Sequence, residues 1–446
     1  MIGPLDGVRG AGGPLSDSPR WAAEALPLQL GTDTLLEARQ TYAPSTAVPS
    51  PTRAERPDAV GPDALAVTRL TLTRFRGYDS ARLEPDHRPV VLTGPNGAGK
   101  TNLLEAVSFL APGRGLRGAK LSEVERIGSP SGAGWAVAAV LDTPTGPVEI
   151  GTGREAGPQR SGGGERDRRV VRVDGHPAKG QTALAEHVAV VWLTPQMDRL
   201  FLEGSSGRRR FLDRLVFGFD PAHAGRLSRY EHALRERARI LRDGQRSWGA
   251  DDGWLSGLED QMATTGIAVA AARRDVVQRL RAACGRAIGP FPTADLSVQG
   301  TVERWLDESP ALAAEDALRR SLRDSRRLDS DTGGAAVGPH KSDLVVRHTQ
   351  KDMPAALCST GEQKALLIAI MLSNARLLSA ERGAAPLLLL DEVAAHLDPQ
   401  RREALFDEIL ALGAQAWMTG TDDNVFAPLG SAAGRFHIED ATVTPA

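Results

Sequence analysis

Residues 94–101 read GPNGAGKT, and this spacing of glycines before a lysine and a threonine constrains the fold more than any other feature of the chain. The apolar run VVLT precedes the segment, and KTNLLEAVSFLA follows with apolar residues at helical spacing. The pattern predicts a strand, a tight loop and a helix in succession. In such a turn, the loop N–H groups and the positive end of the helix dipole converge on a point suited to a phosphate. The predicted phosphate-binding residues are Gly94, Pro95, Asn96, Gly97, Ala98, Gly99, Lys100, Thr101 and Asn102.

The last part of this segment predicts which phosphate compound binds. Lys100 would add a cation at the β- and γ-phosphates of a nucleotide, and the Thr101 hydroxyl is suited to ligate Mg²⁺. A glycine turn that precedes a helix by chance is the alternative, and the combination of strand, loop and helix disfavours it. The sequence therefore predicts ATP and Mg²⁺ as cofactors.

A second apolar run, PLLLLDE at residues 386–392, ends in two carboxylates. In α/β sheets, ligands bind beyond the carboxyl ends of the strands, which is where these two side chains would lie. Asp391 is suited to hold Mg²⁺ through water, and Glu392 to polarise the water that attacks the γ-phosphate. The predicted catalytic groups are therefore Glu392 and Lys100. An exposed acidic pair at a strand end is the alternative.

A third segment, CSTGEQKALLIAIMLSNARLL at residues 358–378, predicts a capped helix. One interpretation is an ordinary helix whose apolar face packs in the core. The other is a second helix N-terminus that faces a phosphate, with Ser359, Gly361 and Glu362 contributing to nucleotide binding. The apolar face would comprise Leu366, Leu367, Ile370 and Met371.

These segments resemble the RecF family of ABC-type ATPases, which is related to SMC proteins. STGEQ is similar to the ABC signature, and LDEVAAHLDPQRREAL to a Walker B motif followed by a D-loop. Four further stretches resemble the family over roughly residues 66–440: LTLTRFRGYDSARL, TGPNGAGKTNLLEAVSFLAPGRGLR, LTPQMDRLFLEGSSGRRRFLDRL and GPHKSDL.

The resemblance implies an ATP-driven, head-to-head homodimer that binds gapped DNA or single-strand/double-strand junctions and hydrolyses ATP slowly. It also implies cooperation with RecR and leaves RecO open as a further partner. Gln196 lies where a Q-loop residue would contact the metal. Either Thr419 or Thr421 would replace the switch histidine of many ABC proteins.

The segment GPHKSDL departs from the family pattern. Lys341 and Ser342 stand where the family commonly has Arg-Asp, which weakens any functional role for these residues. His340 is interpreted as a structural histidine rather than a catalytic one.

Spacing predicts the domain organisation. Lys100 and Asp391 must meet at one magnesium ion although most of the chain separates them, so the intervening chain must leave the nucleotide lobe and return. The predicted fold class is α/β, a P-loop ABC-type ATPase head with a mixed sheet flanked by helices, an inserted mainly helical lobe and no long coiled coil. The predicted parts are a disordered extension at 1–63, the first ATPase part at 64–204, the helical lobe at 205–335 and the second ATPase part at 336–446.

Composition restricts the partners. The chain has a formal net charge of −2, 41% hydrophobic residues and 25% charged residues, so nucleic-acid contacts must depend on local patches. No apolar run is long enough to span a bilayer. The two cysteines, Cys284 and Cys358, indicate neither a disulfide framework nor a zinc site, and a reducing cytoplasm is the expected location.

One local patch is basic. Residues 208–242 contain ten arginines and four acidic residues. Some of these arginines would pair with acids along a solvated helix face. The others suit DNA phosphates, and the predicted DNA-binding residues are Arg208, Arg209 and Arg210.

The sequence thus favours an ATP-dependent DNA-binding switch with weak ATPase activity. Two alternatives stay open at this point, the nucleotide-binding subunit of an ABC transporter and a structural SMC-like ATPase. Transporter subunits have the signature much closer to the Lys100 segment than Ser359 is here, and no heptad pattern persists over arm length.

Overall fold

The computed structural model describes residues 64–130, 133–155, 169–243 and 252–446. The predicted disordered extension at 1–63 lies outside the described residues. Within the described ranges the chain forms two six-stranded sheets and one three-stranded sheet, together with α-helices that cover their faces.

The elements are numbered along the chain. The strands are β1 (Ala66–Phe75), β2 (Tyr78–Leu83), β3 (Val90–Thr93), β4 (Trp135–Thr143), β5 (Gly146–Arg154), β6 (Val170–Val173), β7 (His176–Pro177), β8 (Val190–Leu193), β9 (Ala294–Gln299), β10 (Asp343–His348), β11 (Met353–Pro354), β12 (Leu387–Leu390), β13 (Ala416–Gly420), β14 (Gly434–Glu439) and β15 (Thr442–Pro445). The helices are α1 (Lys100–Ser108), α2 (Leu121–Val124), α3 (Ser205–Phe219), α4 (His223–Asp243), α5 (Asp252–Cys284), α6 (Thr301–Glu308), α7 (Ala311–Asp324), α8 (Arg326–Thr332), α9 (Thr360–Arg382) and α10 (Pro399–Leu412).

The first sheet is antiparallel, in the order β2-β1-β4-β5-β6-β7. Strand β1 forms because its apolar residues alternate, and Leu70 and Leu72 are fully buried on one face. The rings of Phe75, Phe109 and Trp135 meet edge to face, with centroids 5.0 to 5.9 Å apart. Such aromatic contacts add to the burial energy, and here they attach the end of α1 to this sheet.

The second sheet contains the segments predicted to bind the nucleotide. Its order is β15-β14-β3-β13-β12-β8, and every pair except β14 with β15 is parallel. Strand β13 lies between β3 and β12, so the loop after β3 and the carboxylates after β12 lie at the same end of the sheet. Each residue of β3 and β12 is buried, as expected for strands covered on both faces.

Helices dominate the middle of the chain, where α5 packs against α4, α7, β9 and α9. Arg237 on α4 donates hydrogen bonds to Glu259 on α5 at 3.0 Å and to Asp329 on α8 at 2.7 Å. All three side chains are buried, so this network joins three helices. The part is not purely helical, because β9 lies within the predicted 205–335 lobe and pairs with β10 beyond that bound.

Helix α9 differs from the sequence expectation in how completely it is buried. The sequence predicts one apolar face, whereas every residue from Gln363 to Ala375 is buried. The reason is that α9 is surrounded by β8, α3, α5 and α10. A central helix of this kind is in contact with both the sheet and the helical part.

The predicted fold class is confirmed, since a mixed α/β head carries a mainly helical insertion. The longest helix in the described ranges is α5, with 33 residues, and the described helices form no long coiled coil. Among the described residues, no helix is both long and apolar enough to cross a membrane.

Candidate nucleotide-binding site

The loop between β3 and α1 has a backbone shape that only glycine permits. Gly94 and Gly99 have φ values of 146° and 113°. A Cβ at Gly94 would lie 2.0 Å from the carbonyl oxygen of Ile438, and one at Gly99 would lie 2.6 Å from the hydroxyl of Tyr78. Because both distances are shorter than any normal contact, the two glycines are required for this compact turn at the N-terminus of α1.

Lys100 begins α1, and its side chain folds back over the loop. Its Nζ donates hydrogen bonds to the carbonyl oxygens of Gly94 and Pro95 at 2.7 and 2.8 Å. Burial lowers the pKa of Lys100, while the nearby charges of Glu392 and Asp391 oppose that change. The ammonium is therefore held inside the loop, close enough to both carboxylates to interact with them.

Thr101 and Asp391 meet although they are far apart in the sequence. The Thr101 hydroxyl donates to the Asp391 carboxylate, with oxygen–oxygen distances of 3.0 and 3.1 Å. Thr419 at the end of β13 donates to Oδ1 of the same carboxylate at 2.8 Å. Of the two threonines considered in place of a switch histidine, Thr419 thus contacts the site directly, whereas Thr421 is exposed.

Glu392 adopts an unusual backbone conformation beside this cluster. Its φ is 54°, in the left-handed region that non-glycine residues rarely occupy. Its N–H donates to the hydroxyl of Thr419 at 2.9 Å, which helps to hold the strained residue in place. Strained backbone conformations persist only where the surrounding structure stabilises them, and they are concentrated at functional sites. The structure thus presents the Glu392 carboxylate, which is partly exposed, next to Asp391.

Gln196 lies at the same end of the sheet. It belongs to a 3₁₀ turn, Pro195–Arg199, that follows β8, and Leu193 of β8 is paired with Leu390 of β12. The Gln196 side chain is exposed. Its position is compatible with a metal or water contact, and that role stays a prediction.

Ser359 is the N-cap of α9, and Ser359 and Gly361 are exposed. Glu362 accepts hydrogen bonds from the Ser359 N–H at 3.0 Å and hydroxyl at 2.9 Å, and Lys351 donates to its other oxygen. The hydrogen bond from Lys351, followed by those from Ser359, lowers the pKa of Glu362 to about 2. Across the described ranges, no hydrogen bond or ion pair joins these residues to the loop at 94–102. Within the described part of one chain, the signature and the loop are therefore not joined by a polar contact.

A cavity of about 330 Å³ opens beside the start of α1, lined in part by Arg76, Gly77, Asn102 and Arg126. Arg76 donates two hydrogen bonds, of 2.7 and 2.8 Å, to the buried carboxylate of Glu105 on α1. Sequence reasoning did not single out Arg76 or Glu105. The only available signal was that both lie in stretches that resemble the family.

The three arginines predicted to contact DNA differ in their partners within the chain. Arg208 makes a two-pronged ion pair with Asp343 at 2.7 and 2.8 Å, and Arg209 donates to the Ser342 carbonyl and the Ser205 hydroxyl at 2.7 and 2.8 Å. Arg208 and Arg209 therefore have partners within the chain, and their contacts with DNA stay predictions. Arg210 alone of the three is exposed, and its DNA contact stays a prediction.

His340 is held as a neutral structural residue. The hydroxyl of Tyr230 lies 2.6 Å from Nδ1, and Nε2 lies 3.0 Å from the carbonyl oxygen of Ala335. Burial lowers the pKa of His340 to about 4, so the ring is uncharged at neutral pH. This environment supports the structural interpretation. The contact between the RRRFLD and GPHKSDL stretches, through Arg208 and Asp343, was not predictable from either stretch alone.

The fold and the site define a class of ATPase heads. Residues 66–443 match the family described as RecF/RecN/SMC N terminal domain. A relative from Rhizobium etli named DNA replication and repair protein RecF is 48% identical to this chain, over 86% of this chain and 99% of the relative. A relative of the same name from Agrobacterium fabrum is 49% identical, over 85% of this chain and 98% of the relative. The chain belongs to the RecF family, which confirms the resemblance and excludes the transporter alternative.

Solved structures show the same fold at lower identity. One is the recombination mediator protein RecF-ATPrS in the RecFOR pathway, with a TM-score of 0.72 and 22% identity over 86% of this chain and 98% of that chain. Another is RecF-ATP in the same pathway, with a TM-score of 0.70 and 23% identity over 86% and 99%. At this identity the comparison establishes the shared architecture.

Proposed function

We propose that this protein is an ATP-dependent, DNA-binding switch in recombinational repair and replication maintenance, acting in the cytoplasm. The observation that carries the proposal is the contact between Thr101 and Asp391 beside Lys100. The Asp391 carboxylate, from a distant segment, meets the Thr101 hydroxyl and the Lys100 ammonium at the N-terminus of α1. This set suits a nucleoside triphosphate with its magnesium ion better than it suits any other common ligand.

The loop N–H groups would bind the phosphates, with the N-terminus of α1 adding its dipole. Lys100 would exchange the carbonyl oxygens of Gly94 and Pro95 for phosphate oxygens. The cavity beside Asn102 offers space for the remainder of the nucleotide. Arg76 and Glu105 would support this side of the site, because their ion pair fixes the β1–β2 turn against α1.

The donor set fits magnesium. Mg²⁺ prefers oxygen ligands and commonly uses one or two protein groups together with water and substrate phosphates. Thr101 and Asp391 would hold the ion, with Gln196 as a third ligand at the same sheet end. When bound, the ion would neutralise charge on the phosphates. Thr419 would orient the Asp391 carboxylate through its 2.8 Å hydrogen bond.

Glu392 would act as the base that polarises water for attack on the γ-phosphate. The hydrogen bond from its N–H to Thr419 fixes the backbone that carries this carboxylate. Hydrolysis is proposed to be slow and to serve for release, because among the described residues no hydrogen bond or ion pair joins Ser359, Gly361 or Glu362 to the loop at 94–102.

A second chain would supply the missing side. Ser359 and Gly361 are exposed at the N-terminus of a long helix, and Leu357 next to them is 70% exposed. An exposed leucine beside polar capping groups fits a surface that becomes buried on association. In a head-to-head homodimer, Ser359, Gly361 and Glu362 of each chain would contact the ATP bound by the other.

DNA and protein partners are proposed from the family. Relatives carry the name DNA replication and repair protein, and a solved relative is assigned to the RecFOR pathway. We therefore propose gapped DNA or single-strand/double-strand junctions as ligands, with RecR and RecO as partner proteins. Arg210 is a candidate phosphate contact because it is exposed.

Gel filtration and DNA retention test this proposal. The protein should elute as a monomer alone and as a dimer with ATP and Mg²⁺, and the dimer should be retained on gapped DNA. A Lys100→Ala variant should stay monomeric under both conditions. Dimerisation of the wild type without nucleotide, or with equal strength in the Lys100→Ala variant, would contradict the proposal.

A further inference from the structure

Arg208 joins the segment that follows Gln196 to strand β10, which precedes the signature. It lies in the first turn of α3, and its Nε and Nη2 donate to the two carboxylate oxygens of Asp343 at 2.7 and 2.8 Å. Only 15% of the Arg208 side chain is exposed, against 32% of the Asp343 side chain. A two-pronged arginine–carboxylate pair fixes the relative orientation of its partners as well as their distance.

The third nitrogen of Arg208 contacts the segment that carries Gln196. Its Nη1 donates to the carbonyl oxygen of Leu200 at 3.3 Å and to that of Glu203. These residues directly follow the 3₁₀ turn Pro195–Arg199, to which Gln196 belongs. One guanidinium therefore binds both this segment and the first residue of β10.

Strand β10 leads directly to the signature. It forms a hairpin with β11, and a single 3₁₀ turn, Ala355–Leu357, then reaches Ser359. Leu344 and Val346 of β10 belong to the same buried core as Leu366 of α9. Because a close-packed core transmits strain, this packing provides a route from Asp343 to the N-terminus of α9.

A second contact joins the same segments from the other side. Lys364 of α9 is buried, and its Nζ lies 3.4 Å from Oδ2 of Asp198, two residues after Gln196. The segment is thus held by α3 through Arg208 and by α9 through Lys364. Both contacts lie within one chain.

We infer that Arg208 is a positioning residue that couples Gln196 to Ser359 of the same chain. The inference rests on the proposed roles of those two residues at the nucleotide site. When bound nucleotide displaces the segment around Gln196, Arg208 moves Asp343 and β10 with it, and the exposed signature takes the orientation that a second chain requires. Arg208 itself contacts neither nucleotide nor DNA in this scheme.

Hydrogen exchange in the monomer tests the coupling directly. The protein is diluted until it is monomeric with ATP and Mg²⁺, as checked by mass photometry, and exchange is followed in residues 195–203 and 353–362. In the wild type, ATP should change exchange in both segments. Arg208→Met, which retains the aliphatic stem, should preserve the change in the first segment and lose it in the second. Arg208→Lys retains the charge but cannot form the two-pronged pair with Asp343. It should lose only part of the ATP-dependent exchange change in residues 353–362.

A matched control comes from α9. Arg382 donates to the carbonyl oxygens of Gly218 and Ala185 at 2.9 and 3.0 Å, so Arg382→Met removes an arginine at the C-terminal ends of α3 and α9, whereas Arg208 and Ser359 lie at their N-terminal ends. It should leave both exchange changes intact. Asp343→Asn provides a second way to weaken the pair if Arg208→Met folds poorly, and it should reproduce the loss in 353–362.

ATP-driven dimerisation gives a second readout. Arg208→Met should bind ATP within about twofold of the wild type but dimerise about tenfold more weakly, in the usual range for coupling between two sites. Equal exchange changes in the wild type and Arg208→Met would overturn the coupling and leave the proposed function intact. A wild type that binds no ATP would overturn both. A wild type that binds ATP without any change in 195–203 would overturn the role of Gln196 and the coupling with it.

Discussion

Thr419 contacts both acidic residues of the proposed ATPase site through one hydroxyl group, the Asp391 carboxylate and the Glu392 backbone N–H. Replacing it with valine keeps the volume of the side chain and removes that oxygen. The hydroxyl donates to Asp391 at 2.8 Å and accepts from the Glu392 N–H at 2.9 Å. Thr419 is 1% exposed and Asp391 is 6% exposed, so water does not readily replace either lost partner.

The expected loss follows from these two bonds. A hydrogen bond to a charged group contributes about 1.5–3 kcal/mol, and leaving a buried donor without a partner costs about 1–3 kcal/mol. Asp391 keeps its bond from Thr101, which places the effect in the lower part of the combined range. We expect Thr419→Val to lower the free energy of unfolding by about 2.5–4 kcal/mol.

Urea unfolding followed by fluorescence and circular dichroism measures this loss, and phosphate release measures activity in parallel. Thr421→Val is the matched control because Thr421 is exposed nearby, and it should change stability by less than about 0.5 kcal/mol. The hydrolysis rate of Thr419→Val should fall, because the backbone that carries Glu392 loses its partner. A loss below about 1 kcal/mol, or an equal loss in the control, would refute the reasoning.

Four further predictions concern the nucleotide and DNA. Lys100→Ala should abolish ATP-driven dimerisation. Glu392→Gln should instead bind ATP and accumulate as a dimer that hydrolyses ATP poorly. A wild-type rate of phosphate release in Glu392→Gln would show that Glu392 is not the base. Mixing Lys100→Ala with Ser359→Arg, each inactive alone, should restore measurable ATPase through the one intact site of the heterodimer, and no recovery on titration would argue against a signature acting in trans. Gly94→Ala should weaken binding of a fluorescent ATP analogue in a titration, since its Cβ would lie 2.0 Å from a backbone carbonyl oxygen. Arg210→Glu should weaken binding to all DNA sequences alike and flatten the salt dependence measured by fluorescence anisotropy, and unchanged affinity at low salt would exclude Arg210 from the DNA surface.

Local features of the chain were predictable because their causes lie within a few residues. The glycine spacing at 94–99 specifies a tight turn through backbone sterics, and the apolar runs before it and before Asp391 specify buried strands. The meeting of Thr101 with Asp391 was also predictable, since strands of one parallel sheet present their carboxyl ends at the same side.

The ion pair of Arg208 could not be predicted from the sequence. A dense run of arginines predicts a DNA surface, yet the partner of Arg208 is Asp343, which lies 135 residues later in the chain. Charge counted along the sequence cannot distinguish an exposed arginine from one that is paired across the fold. Arg210, two positions further on, has the same local sequence and is exposed.

The sequence by itself determined the tight glycine turn at 94–99, the two carboxylates after a buried strand and the capped helix α9, because backbone sterics and the apolar pattern act over short distances. Only the tertiary structure decided that Thr419 joins Asp391 to Glu392, that residues 363–375 of α9 are buried on every face, and that Ser359 and Gly361 are exposed. These outcomes depend on which distant surfaces pack together. Packing is set by the shapes of whole elements and by the water they exclude, and neither can be deduced from a short stretch of residues.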